Sequence, residues 1–294
     1  MDHGDRAMTP FAALHHRPGR PLLLPNAWDH ASAVALAAAG HPAVGTTSLG
    51  VAAAAGLPDG AAATRAETVR LARRLGRGGF LLSVDAESGF SDDPDEVAEL
   101  AVELATAGAV GINLEDGRAD GTLAPVDVHA AKVAAVKAAV PELFVNARTD
   151  TYWCAPSAPV QDAPALDAPV QDDPAPADPA QAAPAQDDPA QETLRRLEAY
   201  QRAGADGVFV PGLAEPAAIA RVVGALAVPL NILWTPTGPG LAELAALGVA
   251  RVSLGSLLYR SALAAAVATA AAVRSGEPVG QVPGYAEVQA LNEL

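Results

Sequence analysis

Residues 81–90, LLSVDAESGF, set two carboxylates where they could do chemistry. The apolar run of Leu81, Leu82 and Val84 ends in Asp85 and Glu87, with Gly89 just beyond. A run of this length between turn signals reads as a buried parallel strand. Side chains alternate across a strand, so Asp85 and Glu87 are expected on the same side. Two carboxylates at the mouth of a buried strand repel each other. Solvent, a shared proton or a divalent cation between them relieves that repulsion. Taken alone, the pair fits a metal site, and it also fits a strand end meeting water in an acidic loop.

The elements around this stretch alternate. Apolar runs at 21–25, 43–47, 80–84, 110–114, 143–145, 207–210, 230–233 and 251–254 read as short strands. Helical patterns follow nearly all of them, at 31–39, 65–75, 94–107, 126–140, 192–203, 216–226, 241–247 and 256–274. The start at Pro94 is marked by Asp92 and Asp93, acids ahead of a proline at the first helical position. Arginines lie on one face of 65–75 and leucines on the other. Eight strands with this spacing predict a single α/β domain over 1–294, a (β/α)8 TIM-type barrel. Polar residues after nearly every strand favour the barrel over an open doubly wound sheet. No GxGxxG turn follows the first strands, so a dinucleotide site has no support.

Residues 155–191 break the alternation. They are built from Ala, Pro, Asp and Gln, with APVQDAP, APVQDDP and APAQDDP as imperfect copies. Proline every few residues forbids helix and sheet ladders, and little apolar surface is available to offset ordering entropy. This segment is expected to be a disordered insertion after strand five. It holds seven aspartates, nearly half of the formal net charge of −15. Residues 276–284 read as a proline-bearing linker, and 276–294 as a linker with a short helical tail.

Composition narrows the function classes. Half the residues are hydrophobic but only 4% are aromatic, so the core must be mostly Ala, Val and Leu. The acidic balance argues against nucleic acid and anionic membranes as partners. The single cysteine, Cys154, excludes an intramolecular disulfide and suits a reducing compartment. The opening residues MDHGDRAMTP carry no apolar signal-peptide region. No uninterrupted apolar run appears long enough to span a bilayer, and a cytoplasmic location is expected. The Ala-rich 262–273 stretch reads as core or interface.

In a barrel the strand ends converge on one mouth. That brings together Thr47, Ser48, Leu49 and Gly50 after strand two, Asp85 and Glu87 after strand three, Glu115 after strand four and Arg148 after strand five, with Asp59 in a nearby loop. Three carboxylates beside an arginine suggest a hard-cation site next to an anion clamp. Oxygen ligands favour Mg²⁺ or Mn²⁺ over zinc. The Arg148 guanidinium could take a substrate carboxylate through two parallel bonds, or it could pair with Asp116 or Asp150. Backbone N–H groups around 48–50 could hold a developing oxyanion.

With these motifs assembled, the chain resembles the isocitrate lyase/phosphoenolpyruvate mutase superfamily. The resemblance rests on PNAWDHASA (25–33), GTTSLGVA (45–52), GLPDG (56–60), VDAESGF (84–90), GINLEDG (111–117), NARTDT (146–151) and GADGVFVPG (204–212). It implies a (β/α)8 barrel whose last helix is exchanged between subunits of a homo-oligomer, a tetramer or a dimer. It also implies Mg²⁺ and small 2-oxo or 2-hydroxy acids as ligands, with C–C or P–C chemistry through enolate-like states. By position, Asp85, Glu87 and Glu115 resemble the metal-associated acids. Thr47, Ser48 and Leu49 resemble the substrate-binding turn, Asp59 the acid beside it, and Arg148 the carboxylate-binding arginine. Asp59, Glu115 and Arg148 are thus the catalytic candidates.

The chain also departs from the superfamily pattern. Lyase members carry a cysteine-bearing loop after strand four, where this chain reads GRADGTLAPVD (117–127). Cys154 lies after strand five and is expected too far from the metal to pass protons. The Asn-Ser lid pair of the mutases is missing, Glu87 stands where many members have Asp, and Pro211 and Gly212 stand where lyases place a glutamate. The expectation is a Mg²⁺-dependent lyase on a small 2-oxo or 2-hydroxy acid that works without a cysteine, by decarboxylation or retro-aldol cleavage. Two alternatives are a phosphonate P–C bond enzyme and a degenerate barrel that only binds a dicarboxylate.

Overall fold

The computed structural model describes residues 8–154 and 189–291. In chain order its elements are α1 (Pro10–Ala13), β1 (Leu22–Leu24), β2 (Asn26–Ala27), α2 (His30–Ala38), β3 (Ala43–Thr46), α3 (Ser48–Ala55) and α4 (Arg65–Leu75). Next come β4 (Leu81–Asp85), α5 (Pro94–Thr106), β5 (Ala109–Glu115), α6 (Val126–Ala139) and β6 (Phe144–Arg148). The chain continues with α7 (Pro189–Arg202), β7 (Gly207–Phe209), α8 (Pro216–Ala225), β8 (Leu230–Leu233), α9 (Leu241–Ala246) and β9 (Arg251–Ser253). It ends with α10 (Leu257–Ser275) and α11 (Tyr285–Ala290). Helix α7 begins at Pro189, three residues inside the expected insertion, and residues 155–188 lie outside those described.

Every strand pairing is parallel, in the order β1-β9-β8-β7-β6-β5-β4-β3-β2. Nine strands make eight staves because Pro25, which has no N–H to give a ladder, splits the first stave in two. Leu22–Leu24 pairs with β9, and Asn26–Ala27 pairs with β3. Asn26 laces this seam. Its Nδ2 donates to the Thr46 carbonyl (2.7 Å), and its Oδ1 accepts from the Leu254 and Gly255 amides (3.0 and 2.9 Å). Gly45 makes room for it, since a Cβ there would lie 2.8 Å from Asn26 Nδ2. The fold is the expected (β/α)8 barrel, nearly closed.

The main core lies between staves and helices. Val97, Leu100 and Leu104 of α5 follow helical spacing and join Val84, Ile112 and Leu114 in one buried cluster. The N-terminal foot is plugged separately. Phe11 meets Phe144 edge-on at 5.4 Å, and His15 stacks on Phe144 at 4.3 Å. This plug leaves the C-terminal mouth as the open end of the barrel.

Helix α10 departs from the core. None of its residues is buried, and it touches the barrel near β2, with Tyr259 edge-on to Trp28 at 5.3 Å. By length and composition alone it could cross a membrane, although Arg260 and Arg274 interrupt its apolar run. Leu263, Val267 and Val273 on α10 are all more than half exposed.

Candidate active site

A cavity of about 430 Å³ opens at the C-terminal ends of the strands. Thr47, Ser48, Leu49, Asp59, Asp85, Glu115 and Arg148 line it together. Of the residues expected there, Gly50 and Glu87 are not among the lining residues.

Ser48 is not in a loop but is the first residue of α3. Thr47 caps that helix without a side-chain bond, so no cap satisfies its first-turn amides, and Ser48 and Leu49 of that turn line the cavity. One is already used, because Ser48 N–H donates to Asp85 Oδ2 at 3.1 Å. The Asp85 amide in turn donates to Thr46 Oγ1 at 2.8 Å, which fixes the end of β4 against β3. Asp85 Oδ1 is buried and has no protein partner among the described residues. A run of small apolar residues, SLGVAAAA, hid this helix, since it has no amphipathic stripe to betray it.

Glu87 shows where strand alternation fails. Strand β4 ends at Asp85, and Glu87 lies beyond it with φ 48°, a left-handed conformation that redirects its side chain. Its carboxylate accepts from the Thr64 hydroxyl at the start of α4, and its Oε2 is buried without a partner. Burial, with Asp85 and Asp59 nearby, pushes this carboxyl up to about 7 against the pull of Thr64. Lys132 of α6 pins the same loop, donating to the Ser88 carbonyl (3.1 Å) and to Asp92 (2.9 Å).

Arg148 ends β6 with most of its donors engaged. Nε and Nη2 bind Asp150 at 2.6 and 3.0 Å, and Nη1 binds Glu115 at 2.6 Å. A guanidinium has five N–H donors, so two remain for a ligand. The pairing with Asp150 therefore forms, and it leaves the clamp two prongs. Gly117 is required for it, since a Cβ there would collide with Asp150 Oδ2. Burial raises the Glu115 and Asp150 carboxyls, opposed by Arg148. Burial also raises Asp59, with a hydrogen bond from Ser48 opposing it.

Asp116, next to Glu115, does different work. Its oxygens accept from the Asp150 amide (2.9 Å), the Thr149 hydroxyl (2.8 Å), Arg196 Nη1 (2.9 Å) and the Tyr200 hydroxyl (2.6 Å). This knot ties α7 to the ends of β5 and β6 and holds the backbone that carries Arg148.

Asn113, Asp150, Trp153, Cys154 and Phe209 also line the cavity. Cys154 corrects an expectation, because it is not remote from the site. Its amide donates to the Asp150 carbonyl at 2.8 Å, which folds the chain after β6 back over the mouth. Burial and then Asp150 push its thiol up to about 11, so it is protonated at neutral pH. Phe209 lies under Arg148, with the guanidinium carbon 5.6 Å from the ring centre. Asp150 is an expected partner of Arg148, and Asn113 and Phe209 lie inside motifs that carry the resemblance, whereas Trp153 has no sequence signal.

Among the described residues, no three His, Cys, Asp or Glu side chains are grouped to hold a metal ion. The expected cage of Asp85, Glu87 and Glu115 departs from that arrangement, because Thr64 holds Glu87 and Arg148 holds Glu115. What remains at the cavity wall is Asp85, whose Oδ1 is buried without a protein partner among the described residues.

A parallel (β/α)8 barrel with acids and an arginine converging on its C-terminal mouth defines a TIM-barrel enzyme site. The family described as phosphoenolpyruvate phosphomutase matches residues 11–274. The chain belongs to that family, within the isocitrate lyase/phosphoenolpyruvate mutase superfamily of lyase and mutase enzymes. An uncharacterized protein of Mycobacterium tuberculosis H37Rv is 41% identical over 280 residues, 95% of each chain. A crystal structure from Burkholderia cenocepacia J2315, provisionally named a phosphonomutase, is 38% identical with a TM-score of 0.75, covering 88% of this chain and 95% of that one. The oxaloacetate decarboxylase of Ectopseudomonas mendocina is 30% identical over 71% of this chain and 64% of its own length. At 22% identity, over 96% of this chain and 93% of that one, a phosphonopyruvate hydrolase crystallised with oxalate and Mg²⁺ shares the fold, with a TM-score of 0.74.

Proposed function

We propose that this protein is a Mg²⁺-dependent lyase acting on a small 2-oxo or 2-hydroxy acid through an enolate, by decarboxylation or C–C cleavage. One observation carries the reading. The unpartnered Asp85 oxygen, the start of α3 and the two spare donors of Arg148 share one cavity. Mg²⁺ keeps several waters and takes only one or two carboxylates, so an open Asp85 suits it without a closed cage. Glu115 and Glu87 would act from behind, through water. A bound Mg²⁺ or Mn²⁺ supplies Lewis acidity toward carbonyl and carboxylate oxygens.

The chain's own groups do the rest. Arg148 holds a substrate carboxylate with its remaining donors. The Leu49 and Gly50 amides at the start of α3 face developing negative charge. Asp59, whose burial favours the protonated form, is suited to deliver a proton. Loss of CO₂ needs no cysteine. The relative named oxaloacetate decarboxylase lends the decarboxylation branch its support. Helix α10, which has no buried residue and ends at a left-handed Gly276, would bury its apolar residues against a second copy of this chain.

The test is a screen of 2-oxo and 2-hydroxy acids with Mg²⁺, following pyruvate or glyoxylate. Turnover by the parent that a chelator abolishes is the expected result. The second reading, P–C bond chemistry on a phosphonate, draws on the 38% identical structure provisionally named a phosphonomutase. Phosphate release from a phosphonate, with no phosphorus-free 2-oxo or 2-hydroxy acid turned over, would replace the first reading by the second.

A further inference from the structure

The cavity floor holds a second feature that the expected site residues do not explain. Asn113 of β5 is paired in register with Asp85 of β4 on one side and with Asn146 of β6 on the other. Its Oδ1 accepts from Asn146 Nδ2 at 2.9 Å and from Arg251 Nη2 at 3.1 Å. Arg251, the first residue of β9, is 1% exposed in the barrel interior.

An asparagine amide can be turned either way, and only its partners decide which. Arginine has donors and no acceptor. Burial lowers Arg251 only to about 9, so it remains a cation near neutral pH. Turning Asn113 over would set its NH₂ against that guanidinium. The oxygen must therefore face Arg251, and the same oxygen then orients Asn146. The Asn113 amide nitrogen has no protein acceptor among the hydrogen bonds of the described residues, and the residue lines the cavity.

Arg251 is costly where it stands. Its Nε and Nη1 are buried without partners, and an apolar side chain in that position would carry no such penalty. A desolvated cation directly under a ligand cavity has a purpose if it fixes the group above it.

We propose that Asn113 is a substrate-binding hydrogen-bond donor on the cavity floor, aimed at an acceptor oxygen of the ligand's carboxylate or enolate, and that Arg251 is the positioning residue that holds its amide in that orientation. This rests on the 2-oxo acid reading above. The two N–H groups suit oxygen atoms that only accept, beside the carboxylate of Asp85 rather than in competition with it.

The test uses oxalate with Mg²⁺, titrated calorimetrically into the full chain. Asn113→Asp is nearly isosteric and keeps an acceptor for Arg251 and Asn146, while the cavity-facing donor becomes an acceptor. It is expected to stay folded, to retain Mg²⁺ binding measured without oxalate, and to bind oxalate about 100-fold more weakly or worse. Arg251→Met, which frees the amide to turn, should cost roughly three- to tenfold in oxalate affinity. Arg251→Lys keeps a donor-only group and should recover most of it, which a merely space-filling role would not produce. Undiminished oxalate binding by Asn113→Asp overturns the assignment, and equal losses in Arg251→Met and Arg251→Lys overturn the positioning role. A parent chain that binds no oxalate with Mg²⁺ overturns the 2-oxo acid reading itself, and the assignment with it.

Discussion

Asp85 and Asp116 stand at the ends of neighbouring strands, each in an acidic sequence, and their surroundings are opposite. Asp116 is fully buried and receives four donors, two from the segment just after β6 and two from α7. Asp85 receives one amide from α3 on Oδ2, and its Oδ1 is left open. A saturated carboxylate is a structural knot, whereas a buried carboxylate with a spare oxygen beside a cavity is a ligand in waiting. The same distinction divides the adjacent pair Glu115 and Asp116. Glu115 faces the cavity through Arg148, and Asp116 faces α7 through Arg196 and Tyr200.

The comparison breaks most visibly if the two aspartates are truncated in parallel. Asp116→Ala takes the shared buried acceptor from Arg196, Tyr200 and Thr149, leaving Glu192 as the one acid paired with the Arg196 guanidinium, and it should lose roughly 3–5 kcal/mol of stability in urea unfolding. Asp85→Ala should lose Mg²⁺ binding by calorimetry with stability unchanged or slightly raised, because Glu87 and Asp59 no longer face a third acid. Reversed outcomes, a fold lost with Asp85 or a metal lost with Asp116, would erase the distinction.

Arg148→Lys sharpens the same contrast, because Arg148 serves both sides. A point charge cannot keep the fork on Asp150 and also offer two donors to a ligand. Affinity for a 2-oxo acid should drop by roughly 2–4 kcal/mol, about 30- to 1000-fold, with Mg²⁺ binding retained. Equal ligand affinity in the lysine variant would count against the clamp.

Acid should weaken the structural side first. His129 lies fully buried against Tyr200, its ring centre 4.5 Å away, and burial lowers it to about 4. As pH falls below about 6.5 the unfolded chain takes up this proton and the folded chain does not. The parent should therefore lose stability relative to His129→Leu between pH 6.5 and 4, by about 3 kcal/mol. A pH-independent difference between the two would mean that His129 is protonated as readily folded as unfolded.

The smallest effect is expected at Cys154. Its thiol is on the cavity wall but stays protonated, and loss of CO₂ has no step that requires it. Cys154→Ser should leave turnover within about twofold, a difference of under 1 kcal/mol in barrier. A large drop, reproduced by thiol alkylation, would move Cys154 from the wall into the chemistry.

Strand count, most of the helix order and the position of seven of the nine residues expected at the mouth were legible in the sequence. They depend on local periodicity, on caps such as Asp93 before Pro94, and on the rule that parallel barrels gather strand ends at one mouth. Helix α3 was not legible, because an alanine-rich segment has no polar face to mark its period. Nor was the fate of Glu87, since one left-handed residue after β4 cancels the strand alternation that paired it with Asp85. Above all, the sequence writes Asp85, Glu115, Asp116 and Asp150 as similar acids. Which of them is saturated and which is open depends on Ser48, Arg148, Arg196 and Tyr200, partners from 2 to 84 residues away. Hydrogen-bond saturation is set by groups distant in the chain, so the tertiary structure alone separates the acid that holds the fold from the acid left free for a ligand.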